Sequence, residues 1–172
     1  KGIDIIYIGM FPEMKQKNIN AFFESDAIYV TNDQDDDMDL IDDIIHEIAH
    51  AVEHHHQEFI YSPGYLQREF VSKRMRLEKL LSQKYNVPSD FIVNFDYDKE
   101  IDEFLYKEVG YDNLNQISVN IFPSAYAATS VREYWAKGFE ELFIGDKSKL
   151  KSLCPVLYSI LTSLLNELRE NT

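Results

Sequence analysis

Residues 35–56, DDDMDLIDDIIHEIAHAVEHHH, constrain this chain more than any other stretch. They contain His46-Glu47-Ile48-Ala49-His50, the HExxH pattern. On a helix, His46 and His50 lie one turn apart on one face, where two imidazole nitrogens reach a single ion. Glu47, rotated by about 100°, faces a water at that ion rather than the ion itself. The helix is predicted without the motif, because Met38, Ile41, Ile45, Ile48 and Val52 step by three or four and form an apolar stripe. Asp35, Asp36 and Asp37 precede it, where carboxylates cap free N–H groups and favour the positive end of the helix dipole. By composition alone an HExxH arises in roughly one such chain in a hundred, so the motif gains weight from this context.

The 172 residues fit one domain of two lobes, 1–56 with strands and the motif helix, and 57–172 mainly helical. The single cysteine, Cys154, excludes an internal disulfide and any multi-cysteine zinc site. A net charge of −13 argues against a nucleic-acid backbone as partner, which wants clustered Lys and Arg, and suits a basic or neutral polypeptide better. No apolar run approaches a membrane span, and KGIDIIYIGM lacks a cleavable signal architecture, so a soluble chain is expected; the compartment stays open.

Ile3 to Met10 is apolar on both alternations and reads as a strand covered on both faces. Pro12 opens a short helix with Ile19, Phe22 and Phe23 as its buried side. Ala27-Ile28-Tyr29-Val30-Thr31 is a second strand, expected at a sheet edge where an extended peptide substrate adds by main-chain pairing. A periodic helix follows Pro63-Gly64, burying Leu66, Phe70, Leu77 and Leu81 with its Lys and Arg residues solvated. Asp98 to Val109 is helical through Ile101, Leu105 and Val109 up to Gly110, and 113–129 reads as mostly irregular with a short strand at Ile117 to Ile121. Ser130 or Thr129 caps a helix over Val131 to Phe143; Lys147 to Leu153 is a short helix, and Pro155 opens the last. The fold class is α+β.

A catalytic zinc takes three protein ligands and keeps a fourth position for water. All five histidines lie between 46 and 56. On a continuous helix His54 is about 12 Å along the axis from His46, too far to share a tetrahedral ion, and His55 drops out with it. His56 has the histidine spacing of the metzincin peptidases, although Glu53 stands where that pattern has the turning Gly and no Met falls in a Met-turn. The other route is a carboxylate, with Glu133, Glu140 and Glu141 as candidates.

HEIAHAVE at 46–53, Tyr126 seven residues before Glu133, the run EYWAKGF at 133–139 and the closing helix with Pro155 together resemble the catalytic domain of anthrax lethal factor and its relatives, including the clostridial Pro-Pro endopeptidases. The resemblance covers roughly half the chain. It implies a zincin-like fold of the gluzincin type, one Zn2+ per chain held by His46, His50 and Glu133, and Tyr126 facing the oxyanion during catalysis. Where the family often has a second Glu after the ligand, this chain has Lys137. The distance in sequence from His50 to Glu133 implies that the helices between 63 and 110 are an insertion. By family analogy the setting is that of a secreted or effector-like, toxin-like protein acting on protein substrates.

The expected function is a zinc-dependent endopeptidase, a hydrolase in which Glu47 takes a proton from water and hands it to the leaving amine. Two other readings predict different behaviour. A non-catalytic zinc-binding interaction module, a retired peptidase, has no use for Glu47 or Tyr126. A metal-buffering protein uses the whole His cluster and binds several ions without Glu133.

Overall fold

The computed structural model describes residues 2–170. Among them the chain is mixed α+β, with eight α-helices and one three-stranded sheet. It divides into two compact units, the first ending at Gln57 and the second starting at Glu58. No described helix is long and apolar enough to cross a membrane.

The first unit runs β1 (Ile5–Ile8), α1 (Pro12–Lys17), β2 (Ala21–Glu24), β3 (Ala27–Val30) and then α2 (Asp37–Tyr61), which carries the chain onward. Pro12 does open a helix, but Asn18 ends it in the left-handed conformation, φ 54°. The residues expected on its buried side therefore fall elsewhere: Phe22 and Phe23 are in β2. Ser25 and Asp26, both at positive φ, make a two-residue turn whose twist matches a hairpin, and β2 pairs antiparallel with β3.

The strand order is β1-β3-β2, with β1 parallel to β3. This corrects the expectation of an edge strand at Ala27 to Thr31. β3 is the central strand, both its edges are paired within the sheet, and strand addition along Ala27, Ile28, Tyr29, Val30 and Thr31 is closed to a substrate. A second correction concerns β1, expected to be covered on both faces: Ile5, Ile6, Tyr7 and Ile8 are 41–59 % exposed. An all-apolar run reports side-chain character; strand order, which is set by non-local pairing, decides which strand is covered. Registry aligns Tyr7, Tyr29 and Phe22, and their rings stack at 5.1 and 4.6 Å across the sheet.

α2 begins where the acidic run predicts, with Asp36 accepting from the N–H groups of Met38 and Asp39. Its inward face differs from the apolar stripe. Met38 and Ile41 are exposed, whereas Ala49, Ala51 and Glu53 are buried. Small residues and two acids, Glu47 and Glu53, are thus covered along the stretch that carries the histidines.

The second unit contains α3 (Tyr65–Leu81), α4 (Lys99–Glu103), a π-helical turn (Phe104–Val109), α5 (Tyr111–Ser118), a 3-10 turn (Tyr126–Ala128), α6 (Val131–Phe143), α7 (Lys147–Leu153) and α8 (Pro155–Glu170). α5 takes up 113–118 of the segment expected to be irregular, and no strand forms at Ile117 to Ile121; 119–125 is irregular as expected. The core is built from Leu66, Phe70, Leu77 and Leu81 of α3, Tyr134 and Trp135 of α6, and Leu157, Leu161 and Leu164 of α8. Each such aliphatic or aromatic side chain contributes on the order of 1.5–3 kcal/mol by leaving water.

α3 departs from its expected solvated cationic face. Lys73 and Arg74 fall between Phe70 and Leu77, on the same side of the helix, and both are buried. Lys73 Nζ donates to the carbonyls of Ile121 and Leu153, each at 2.7 Å. Burial lowers the Arg74 pKa to about 10 while the charge of Asp98 opposes the shift, so the guanidinium stays charged at neutral pH. Glu69 of the same helix accepts from Tyr134 Oη at 2.8 Å and from the N–H groups of Val156 and Leu157 at 3.0 Å, capping α8 just after Pro155.

α6 and α8 meet at Gly138. A Cβ added there would stand 2.3 Å from Leu157 Cδ2 and 2.8 Å from its Cγ. Helix propensity alone favours alanine over glycine by about 1 kcal/mol. The clash is expected to reverse that sign, so Gly138→Ala should destabilise the protein by about 1–3 kcal/mol in urea unfolding. An unchanged or raised midpoint would show that Leu157 yields without cost.

Candidate metal centre

α2 sets the first two residues. Helical spacing puts the His46 and His50 rings edge to face with centroids 4.8 Å apart and their Nε2 atoms at 3.1 Å. Two nitrogens bound to one tetrahedral zinc at about 2.05 Å stand about 3.3 Å apart, so the pair already has the separation that a shared ion demands.

The other nitrogen of His50 fixes its tautomer. Nδ1 lies 3.0 Å from Glu53 Oε2, and Glu53 is buried. An ionised carboxylate only accepts, so against ionised Glu53 the proton sits on Nδ1 and the lone pair on Nε2, the tautomer that suits a metal ligand. A carboxylate behind a ligating imidazole also holds the ring in place and raises its basicity. The sequence carries the signal, an acid three residues after the second histidine, at the position where the metzincin spacing has its turning glycine.

Glu133 sits in the first turn of α6. Ser130 is the N-cap, and its Oγ accepts from the Glu133 N–H at 3.2 Å, which fixes where the glutamate side chain leaves the helix. The positive end of the α6 dipole favours its carboxylate. Lys137, one turn on, has its Nζ 2.8 Å from Glu140. Among the carboxylates left open by the sequence, Glu140 is therefore engaged by Lys137.

One ligand atom from each of His46, His50 and Glu133 lies within 4.8 Å of the others, close enough for these three residues to hold one metal ion. The donor set is two imidazoles and a carboxylate, borderline ligands that suit zinc. It is the only such group among the described residues. His56 does not join it. α2 continues past His50 without reversing, and its helical geometry breaks only at His56 itself (φ −126°, ψ 24°), about 9 Å further along the axis. His55 instead meets Asp26 of the hairpin turn at 3.1 Å, and the His54 ring stands 6.1 Å from that of Phe23. The histidine run thus does not converge as one cluster.

Glu47 follows His46 on α2 and is buried. Tyr126 opens the 3-10 turn that leads to Ser130, with its ring edge to face with Tyr111 at 6.3 Å. It is 40 % exposed. Burial raises its pKa and the negative charge of Glu133 raises it further, so the hydroxyl keeps its proton and remains a donor. The same causes, burial first and then Asp102 and Glu133, bring Tyr111 to about 12.

If Glu53 orients His50, Glu53→Ala should weaken zinc binding by about 10–100-fold with the helical circular dichroism preserved. Equal affinity by chelator competition would reduce Glu53 to a buried acid satisfied by a neighbour.

Comparison with protein-family models, with curated proteins and with solved structures finds no match to this chain.

Proposed function

We propose that this protein is a zinc-dependent endopeptidase with a zincin-like site of the gluzincin type. The observation that carries the reading is the meeting of His46, His50 and Glu133 within reach of one ion, with His50 already held in the ligand tautomer by Glu53. Zn2+ held there would supply Lewis acidity toward a water and toward a scissile carbonyl.

The remaining chemistry falls to side chains of this chain. Glu47, adjacent in sequence to the first ligand, takes a proton from the attacking water and delivers it to the leaving amine. Tyr126, kept protonated, donates to the oxygen on which negative charge develops, an interaction that matters most in the transition state. A module that only held a metal would need neither group. The edges of the sheet open to an extended peptide are β1 and β2, and β1 is apolar and exposed along its whole length. Such an edge, in a chain of net charge −13, suits a neutral or basic polypeptide substrate better than an acidic one.

The test is zinc stoichiometry and cleavage of a diverse peptide library, measured on the same preparations of wild type, Glu47→Ala and Glu133→Ala. Wild type should bind one zinc and cleave. Glu47→Ala should retain the zinc and lose cleavage by about 10²–10⁴-fold, since only the proton carrier is gone. Glu133→Ala should lose both. Wild-type cleavage by Glu47→Ala removes it from the mechanism, and one zinc with no cleavage by any of the three favours the binding module.

Tyr126→Phe should lower kcat by about 10–100-fold with KM and zinc content little changed, because the lost hydrogen bond is made chiefly in the transition state. A rise in KM alone would assign Tyr126 to substrate binding.

A further inference from the structure

We infer that Arg74 is a positioning residue that orders the segment carrying Tyr126 and Ser130, and through Ser130 the first turn of α6 with Glu133, before any metal binds. This rests on the zinc peptidase reading for the roles of Tyr126 and Glu133.

The guanidinium is fully buried and gives its hydrogen bonds to main-chain carbonyls of two segments. Nε donates to Ala128 O at 3.0 Å and Nη2 to Thr129 O at 2.6 Å. Nη1 donates to Phe91 O at 2.6 Å and also to Asn94 O. The rings of Phe70 and Phe91 lie 4.8 Å from the guanidinium carbon. A planar fork between two rings has little freedom, so the four carbonyls it touches are fixed relative to α3.

Those carbonyls sit at a consequential place in the chain. Ala128 ends the 3-10 turn that starts at Tyr126, and Thr129 immediately precedes the N-cap Ser130. Thr129 Oγ1 donates to Tyr126 O at 2.8 Å, and Val131 N donates to Phe95 O at 2.8 Å, which ties the two clasped segments together just beyond the fork. Ser130 Oγ then receives the Glu133 N–H. From Arg74 to Tyr126 and to Glu133 the linkage is a short series of main-chain and capping bonds, with only the short side chains of Thr129 and Ser130 as intermediaries.

A lysine at this position keeps the charge but replaces three nitrogens in a planar fork with a single one, which cannot reach all four carbonyls of the two segments. Arg74→Lys should fold and yet bind zinc about 10–100-fold more weakly by chelator competition, the range seen when groups behind a ligand are lost. Its residual cleavage should be lower in kcat with KM nearly unchanged. Glu133→Ala is the reference. Unchanged zinc affinity in both variants overturns the ligand assignment and this inference with it, whereas a loss confined to Glu133→Ala overturns the inference alone.

Hydrogen exchange on wild type decides the question even if Arg74→Lys does not fold. The N–H groups of Ala128, Thr129 and Val131, bonded to Ala125, Tyr126 and Phe95, should be protected to the same degree with and without zinc. Protection that appears only when zinc is added would mean that the metal, and not Arg74, orders the segment.

Discussion

A polar group taken out of water has to be met by hydrogen bonds, and this requirement governs the second unit and the histidine pair alike. Arg74, Lys73 and Glu69 occupy α3 among core side chains, and each is satisfied by groups from distant parts of the chain: carbonyls at 91, 94, 121, 128, 129 and 153, and the N–H groups that open α8. An unpaired charge at the depth of Arg74 or Lys73 costs several kcal/mol, so the loops take an arrangement that satisfies both, while half-buried Glu69 caps α8 beside them. Apolar burial makes this unit compact; the polar groups of α3 decide where its loops lie.

The same requirement shapes the candidate site. Glu53 is buried because His50 gives it a donor, and His50 is thereby left with one lone pair and one orientation. Helical spacing alone would bring two imidazoles near one another in several rotamers. The carboxylate selects one, so the face of α2 that carries the two imidazoles is ordered in advance for the ion that the proposed function calls for.

Much of the local structure was legible in the chain because its signals are local. Ser130 at the start of α6, Pro155 at the start of α8 and the acids before α2 mark helix ends by the N–H groups they cap or do without. The two histidines follow from spacing. Glu133 did not follow from the residues alone, where Glu140 and Glu141 had equal standing; it came from resemblance, and the structure adds that Glu140 faces Lys137. What could not be read is non-local. Strand order places β3 in the middle because pairing partners, not propensity, set the edges. Lys73 and Arg74 looked solvated because charge usually is, and only carbonyls far along the chain make their burial tolerable. Glu53 was visible as a letter, but its role appears once the second nitrogen of His50 is given a neighbour.

β1 brings a different consequence. Its outer edge carries Ile5, Ile6, Tyr7 and Ile8 in the open, with none of the lysines, prolines or inward charges by which sheet edges ordinarily refuse a second sheet. Two copies meeting edge to edge would find their strands compatible. What stands against that encounter is the long-range repulsion between two bodies of net charge −13. The acidic composition therefore acts as a colloidal guard over four residues at one end of the sheet, and its strength is set by ionic strength and by the fraction of carboxylates ionised, not by anything in the fold itself.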